Sequence, residues 1–118
     1  MSLGDNKAKF LFICQGWLPP AETRRVVLGL IRLVGMTPAR SHPVDDYPLP
    51  DGTGGDGFSL FQPLVESYAV ADVYYDRNET EILISTCKPE RLGVDEVISF
   101  LGKELGPASG GRLYLRED

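Results

Sequence analysis

Few side chains in this 118-residue chain are equipped for chemistry. There are two cysteines, Cys14 and Cys87, and one histidine, His42. A zinc site needs about four nitrogen, sulfur or oxygen ligands at close spacing. Cys14 and Cys87 form no CxxC pair, so no metal site is expected. In a reducing compartment the two are read as thiols, each by default a small buried hydrophobe. The stretch from Asp45 to Gly57 is rich in glycine and invites a phosphate-loop reading. No Lys-Ser/Thr pair follows it, and its aspartates repel phosphate. Local pattern alone makes Ser67 an ordinary turn serine.

Charge narrows the classes further. The formal net charge is -5, which argues against binding to nucleic acid or to anionic membranes. No apolar run approaches the roughly 20 residues of a bilayer span. Residues 1–7 are polar and read as a disordered leader, and no signal peptide is evident. The expectation is one cytoplasmic domain over residues 1–118.

The elements that must position any site follow from periodicity. The run Lys9 to Cys14 reads as a buried strand. Pro19-Pro20 opens a helix, Val26, Val27, Leu30, Ile31, Leu33 and Val34 supply its apolar stripe, and Gly35 ends it. Thr37 to Val44 reads as a strand weakened by Pro38 and Pro43. Residues 45–57 read as a long mobile loop. Strands follow over 58–65, 68–75 and 79–87, with turns at Glu66-Ser67 and at Asp76-Arg77-Asn78. Asp95 caps a helix running to Leu105. The last strand is 111–117. The order is β-α-β-β-β-β-α-β, which implies an α+β two-layer sandwich: an antiparallel sheet with two helices on one face. The other face, or an edge, then needs a cover, and a dimer supplies one.

The sequence from Gly57 to Cys87 is GFSLFQPLVESYAVADVYYDRNETEILISTC. It resembles the core of the short bacterial and archaeal S-adenosylmethionine decarboxylases. In that family one strand ends in Glu-Ser-His, the next carries His-Thr-Trp-Pro-Glu, and a third ends in Asp-x-Phe-Thr-Cys. Laid on that pattern without a gap, Glu66-Ser67 meets the Glu-Ser and Thr86-Cys87 meets the Thr-Cys. Ser59 meets the serine of an upstream Gly-x-Ser. The match is one of motif over about a third of the chain and one of topology over most of the rest.

The resemblance implies a chemistry. In the family the chain cuts itself between that Glu and that Ser, and the serine becomes a pyruvoyl group. Decarboxylating an amino acid leaves electrons on Cα, and a ketone joined to the substrate's amine delocalises them. By position, Ser67 is the pyruvoyl precursor and Glu66/Ser67 the cleavage site. Cys87 returns a proton to Cα, and Ser59 supports processing. Asp76 keeps the acidic end of the substrate-binding strand, and Tyr68 occupies the position of the histidine after the cleaved serine. The implied partners are a small amino-acid substrate and a second copy of the chain.

Several residues depart from the pattern. The processing histidine, five residues after the serine, is Asp72. An imidazole shuttles protons near neutral pH, whereas a carboxylate acts as a base there when burial raises its pKa. The strand His-Thr-Trp-Pro-Glu is Asp72-Val73-Tyr74-Tyr75-Asp76. The substrate therefore stays open among S-adenosylmethionine, arginine and ornithine. His42 is a candidate for the missing imidazole, although a surface histidine explains it as well. Trp17 and the tyrosines are read first as core and second as pocket lining. Two alternatives stand beside a decarboxylase of polyamine synthesis. One is a non-processing homologue, without the pyruvoyl group, serving as a ligand-binding or regulatory subunit. The other is an unrelated α+β module.

Overall fold

The computed structural model describes residues 8–39, 44–48, 57–65 and 67–114, with backbone alone for 44–48. The elements run β1 (Ala8–Gln15), α1 (Pro20–Leu33), β2 (Val44–Pro48), β3 (Gly57–Pro63), β4 (Tyr68–Tyr74), β5 (Glu79–Thr86), α2 (Val94–Glu104) and β6 (Ala108–Leu113). A short 3-10 turn at Pro89–Arg91 precedes α2. The six strands form one sheet in the order β2-β3-β4-β5-β1-β6. Every neighbouring pair is antiparallel. The expected α+β sandwich is the observed fold.

Alternation along the strands separates two faces. Phe10, Phe12 and Cys14 of β1, Leu60 of β3, Ala69 and Ala71 of β4, and Ile82 and Ile84 of β5 are buried in one core cluster. Val26, Val27, Leu30 and Ile31 of α1 and Val97 and Leu101 of α2 complete it. Each fully buried aliphatic or aromatic side chain contributes roughly 1.5–3 kcal/mol of transfer free energy. The opposite face carries Leu11, Phe61, Val70 and Leu83 in a single register row, all only partly buried. Neither helix covers that row.

Helix α1 begins as its prolines dictate, with Pro20 in the first turn and Glu22 beside the positive end of the dipole. Gly35 ends it at a positive φ of 75°. Leu33, expected on the apolar stripe, is instead 44% exposed. Helix α2 starts at Val94, with Gly93 as the N-cap residue. Asp95 lies within its first turn and makes no capping hydrogen bond, so its contribution is to the dipole alone.

Several boundaries differ from the sequence reading. The second strand is Val44–Pro48; of the expected 37–44, residues 40–43 lie outside the described residues. Pro38 makes only an isolated bridge to Leu64. There the chain 37–39 clasps the end of β3: Ala39 N–H donates to the Pro63 carbonyl and Val65 N–H to the Thr37 carbonyl. Residues 45–48 and 57, read as loop, are strand. The expectations for 1–7 and for 49–56 lie outside the described residues. The last strand begins at Ala108, three residues before the expected start. It opens on Ala108-Ser109-Gly110-Gly111. In the fold Gly110 is a point of close approach: a Cβ there would lie 2.2 Å from the Leu11 carbonyl oxygen, at a φ of 148°.

Gly111, by contrast, has nothing within 4 Å of an added Cβ. Gly110→Ala is expected to cost about 1–3 kcal/mol through strain at the β1–β6 pairing. Gly111→Ala is expected to be near neutral. Urea unfolding midpoints of the two variants check the contrast.

Candidate functional site

The hairpin between β3 and β4 presents Ser67. Its strands pair through Pro63↔Tyr68, so Leu64 and Ser67 face each other across the turn. Leu64 N–H donates to the Ser67 carbonyl at 2.9 Å. Leu64 is buried in the core cluster. Residues opposite one another in an antiparallel pair project to the same face, so Ser67 belongs to the helix-covered side. Its hydroxyl oxygen is buried and has no hydrogen-bond partner. Such orphaned groups are uncommon in folded proteins and call for an explanation. Glu66 lies outside the described residues, as does His42.

On β5 the register continues from Tyr68↔Ser85. One step further sets Thr86 beside Ser67, with Cys87 next in the chain. Thr86 is buried, and its hydroxyl accepts the Lys88 backbone N–H at 3.0 Å. Cys87 is a free thiol at intermediate exposure. A small recess here is lined by Val34, Gly35, Met36, Thr86, Lys88, Arg91 and Leu92. It touches both chain neighbours of Cys87 and includes neither Ser67 nor Cys87. Cys14 is a different kind of thiol, fully buried in the core. Burial pushes its pKa up to about 11.

Ser59 and Asp72 face each other across β3 and β4. The Ser59 hydroxyl donates to Asp72 Oδ1 at 2.6 Å, a short charge-assisted bond. Both lie on the uncovered face, and Asp72 is next opposite Glu81 on β5. Burial is the first cause that raises the Glu81 pKa, then a hydrogen bond its protonated carboxyl donates to Glu79 and the charges of Glu79 and Asp72, with Arg77 opposing. Arg77 reaches Glu79 at 4.0 Å and lies over the Tyr74 ring at 4.3 Å. Asp72 is five residues along β4 from Ser67, about 16 Å at about 3.3 Å per residue. Within one chain the Ser59–Asp72 pair and Ser67 are therefore apart. Asp76 stands farther still, in the turn at the opposite end of β4.

Tyr68 is on the uncovered face and stacks on Phe61, ring centroids 5.7 Å apart and planes at 26°. Trp17, read first as core, is 41% exposed and packs on Tyr75 at 4.5 Å. Sequence reasoning missed Gln62 and Ser85, both about 1% exposed, each with a side-chain oxygen that has no partner. A polar residue inside a strand gives no sign of burial until its face is known.

No protein-family model matches the chain, and no curated sequence matches it significantly. Among solved structures, the adenosylmethionine decarboxylase from Aquifex aeolicus aligns over 95% of this chain and 94% of that one. The TM-score is 0.61 and the identity 13%. The fold is that of an S-adenosylmethionine decarboxylase. Among the described residues no helix is long and apolar enough to cross a membrane.

Two outcomes test the site's electrostatics. A thiol reagent near neutral pH is expected to label one cysteine per native chain, Cys87, and two after denaturation; mass spectrometry counts the adducts. Glu81 binds its proton more tightly folded than unfolded. Stability therefore falls as pH rises from the ordinary value of 4.5 through the raised one. Glu81→Gln is expected to raise the unfolding midpoint at neutral pH and to change it little below about pH 4.

Proposed function

We propose that this protein is a pyruvoyl-dependent amino-acid decarboxylase of the S-adenosylmethionine decarboxylase type, active after cutting itself between Glu66 and Ser67. The observation that carries the reading is the Ser67 hydroxyl, buried and unpartnered at the start of β4. The fold and the register that sets Thr86 beside Ser67 support it. A hydroxyl left without a partner is free to act as a nucleophile.

The Ser67 oxygen attacks the carbonyl carbon of residue 66. The C–O bond forms, the C–N bond breaks, and the hydroxyl proton passes to the Ser67 nitrogen. Loss of the Ser67 Cα proton then expels residue 66 as a carboxylate, with cleavage of the Cβ–O bond. The enamine left on residue 67 tautomerises to an imine, takes up water and releases ammonia, leaving a ketone at the start of β4. A pyruvoyl group there supplies an electron sink for decarboxylation. Cys87 follows the end of β5 beside Thr86 and gives a proton to the product's Cα. Tyr68 and Phe61 offer aromatic faces to a substrate, and Asp76 a carboxylate to a cationic one. The substrate class is an amino acid such as S-adenosylmethionine, arginine or ornithine, and the setting is polyamine synthesis in the cytoplasm.

The functional unit in this reading is a homodimer. The uncovered face carries an apolar row, Phe61, Val70, Leu83 and Leu11, between Lys9 at the Ser67 end and Asp72, Glu79 and Glu81 at the other. A second copy stacked on this face and turned end for end buries the apolar row. It also sets acidic side chains over basic ones. The Ser59–Asp72 pair of one copy then lies over the Ser67 end of its partner, across the sheet from the Ser67 hydroxyl, which faces the helices.

A second reading has its own observation. Asp72, in the histidine's place, is already engaged by Ser59 at 2.6 Å, which favours a chain that keeps its serine and serves as a ligand-binding or regulatory subunit. Intact-mass measurement separates the two. Self-cleavage gives two fragments divided at Glu66/Ser67, the larger of them N-terminal. Ser67→Ala is expected to give one intact chain and no carbon dioxide from any amino acid. An unaltered protein that remains intact after long incubation overturns the decarboxylase reading. In that case Asp72→His is expected to start cleavage.

A further inference from the structure

We propose that Gln62 is a positioning residue for Ser67. This rests on the self-cleavage reading in its consequence, though not in its geometry. Gln62 is on β3, 1% exposed and on the helix-covered face. Its amide nitrogen donates to the Pro63 carbonyl at 3.0 Å, while its Oε1 has no partner. The orientation of the amide follows from that bond, because a flipped group would set Oε1 against the Pro63 carbonyl oxygen. The Pro63 carbonyl is itself held by Ala39 N–H at 3.0 Å, through the clasp of 37–39 on the hairpin. The side chain is thus anchored at one atom and open at the other, and the open atom is an acceptor.

Ser67 supplies the complementary need. Its buried hydroxyl has a proton to give and no acceptor. Gln62 pairs with Ala69, two residues beyond Ser67 on β4, so Gln62 and Ser67 are diagonal neighbours on one face. Such neighbours lie roughly 7 Å apart. Two hydrogen bonds through one water span about 5.5 Å between their end atoms. A single buried water linking Oε1 to the Ser67 hydroxyl therefore satisfies both orphaned atoms together. With its proton directed to Gln62, the hydroxyl keeps a lone pair for the carbonyl of residue 66. Gln62 holds the proton's direction and takes none itself, since a neutral amide is not a base near neutral pH. In cleavage the proton leaves Ser67 for the departing nitrogen, and the water is its path. The carboxylate nearest along the strand, Asp72, lies about 16 Å away in the same chain and on the other face.

The test has two arms. In the first, freshly synthesised precursor is followed by mass spectrometry. Gln62→Met, similar in volume and without the carbonyl, is expected to slow cleavage at least tenfold. Gln62→Glu is expected to give a cleavage rate that climbs with pH as its carboxyl ionises, a titration that packing alone would not produce. Cleavage by Gln62→Met at the unaltered rate, or a flat pH profile in Gln62→Glu, overturns the proposal. The second arm needs no cleavage. The side-chain amide resonances of Gln62 are compared between uncleaved chain and Ser67→Ala, in nitrogen-15 spectra. A shift confined to Gln62 and the hairpin supports the link even if the protein never cuts itself. Unmoved resonances overturn the link whatever becomes of the cleavage reading.

Discussion

The pleat of the sheet governs where chemistry can occur in this molecule. Adjacent residues of a strand must project to opposite faces, and only one face here is covered by helices. A single register across β3, β4 and β5 therefore sends Gln62, Ser67 and Thr86 toward the core side. The same register sends Ser59, Tyr68, Asp72 and Glu81 to the uncovered side. A slip of one residue in that register would exchange the two sets. The buried rows, from Phe12 through Ile82 and Ala71 to Leu60, resist such a slip because it would expose the whole core.

The polar groups at the Ser67 end stand out against that background. Ser67, Gln62 and Ser85 leave buried oxygens without partners within two register rows of one another. Each such atom costs about 1–3 kcal/mol where nothing satisfies it. A fold that tolerates several at one sheet end, beside a clasped hairpin, has given up stability locally. Functional sites are the places where that is expected. At the opposite end Glu81 holds its proton more firmly, first because it is partly buried and then because Glu79 and Asp72 crowd it.

The polar groups of the sheet fall at two separate ends. Ser59 and Asp72 are in contact, so their register assignment describes a real pair. Yet that pair and Ser67 occupy different faces and different ends of β4. An apolar row with opposite charges at its two ends is a surface suited to a copy of itself.

Much of this was legible in the residues. Hydrophobic alternation, Pro19-Pro20, Gly35 and the Asp76-Arg77-Asn78 turn determined the order of elements, because those signals act locally along the chain. The spacing of Ser59, Glu66, Ser67 and Cys87 marked the candidate site through resemblance alone. Tertiary structure decided the rest. Only it could show that Val44–Pro48 pairs with β3 while Pro38 merely bridges it, or that Gly110 is needed where β6 meets β1, because those constraints come from neighbouring strands. Only it could put Ser59 on Asp72 and set both far from Ser67, since a face and a register are properties of a sheet, not of a strand. Gln62 is the clearest instance: an unremarkable glutamine in sequence, made significant by burial and by the oxygen it leaves unpaired.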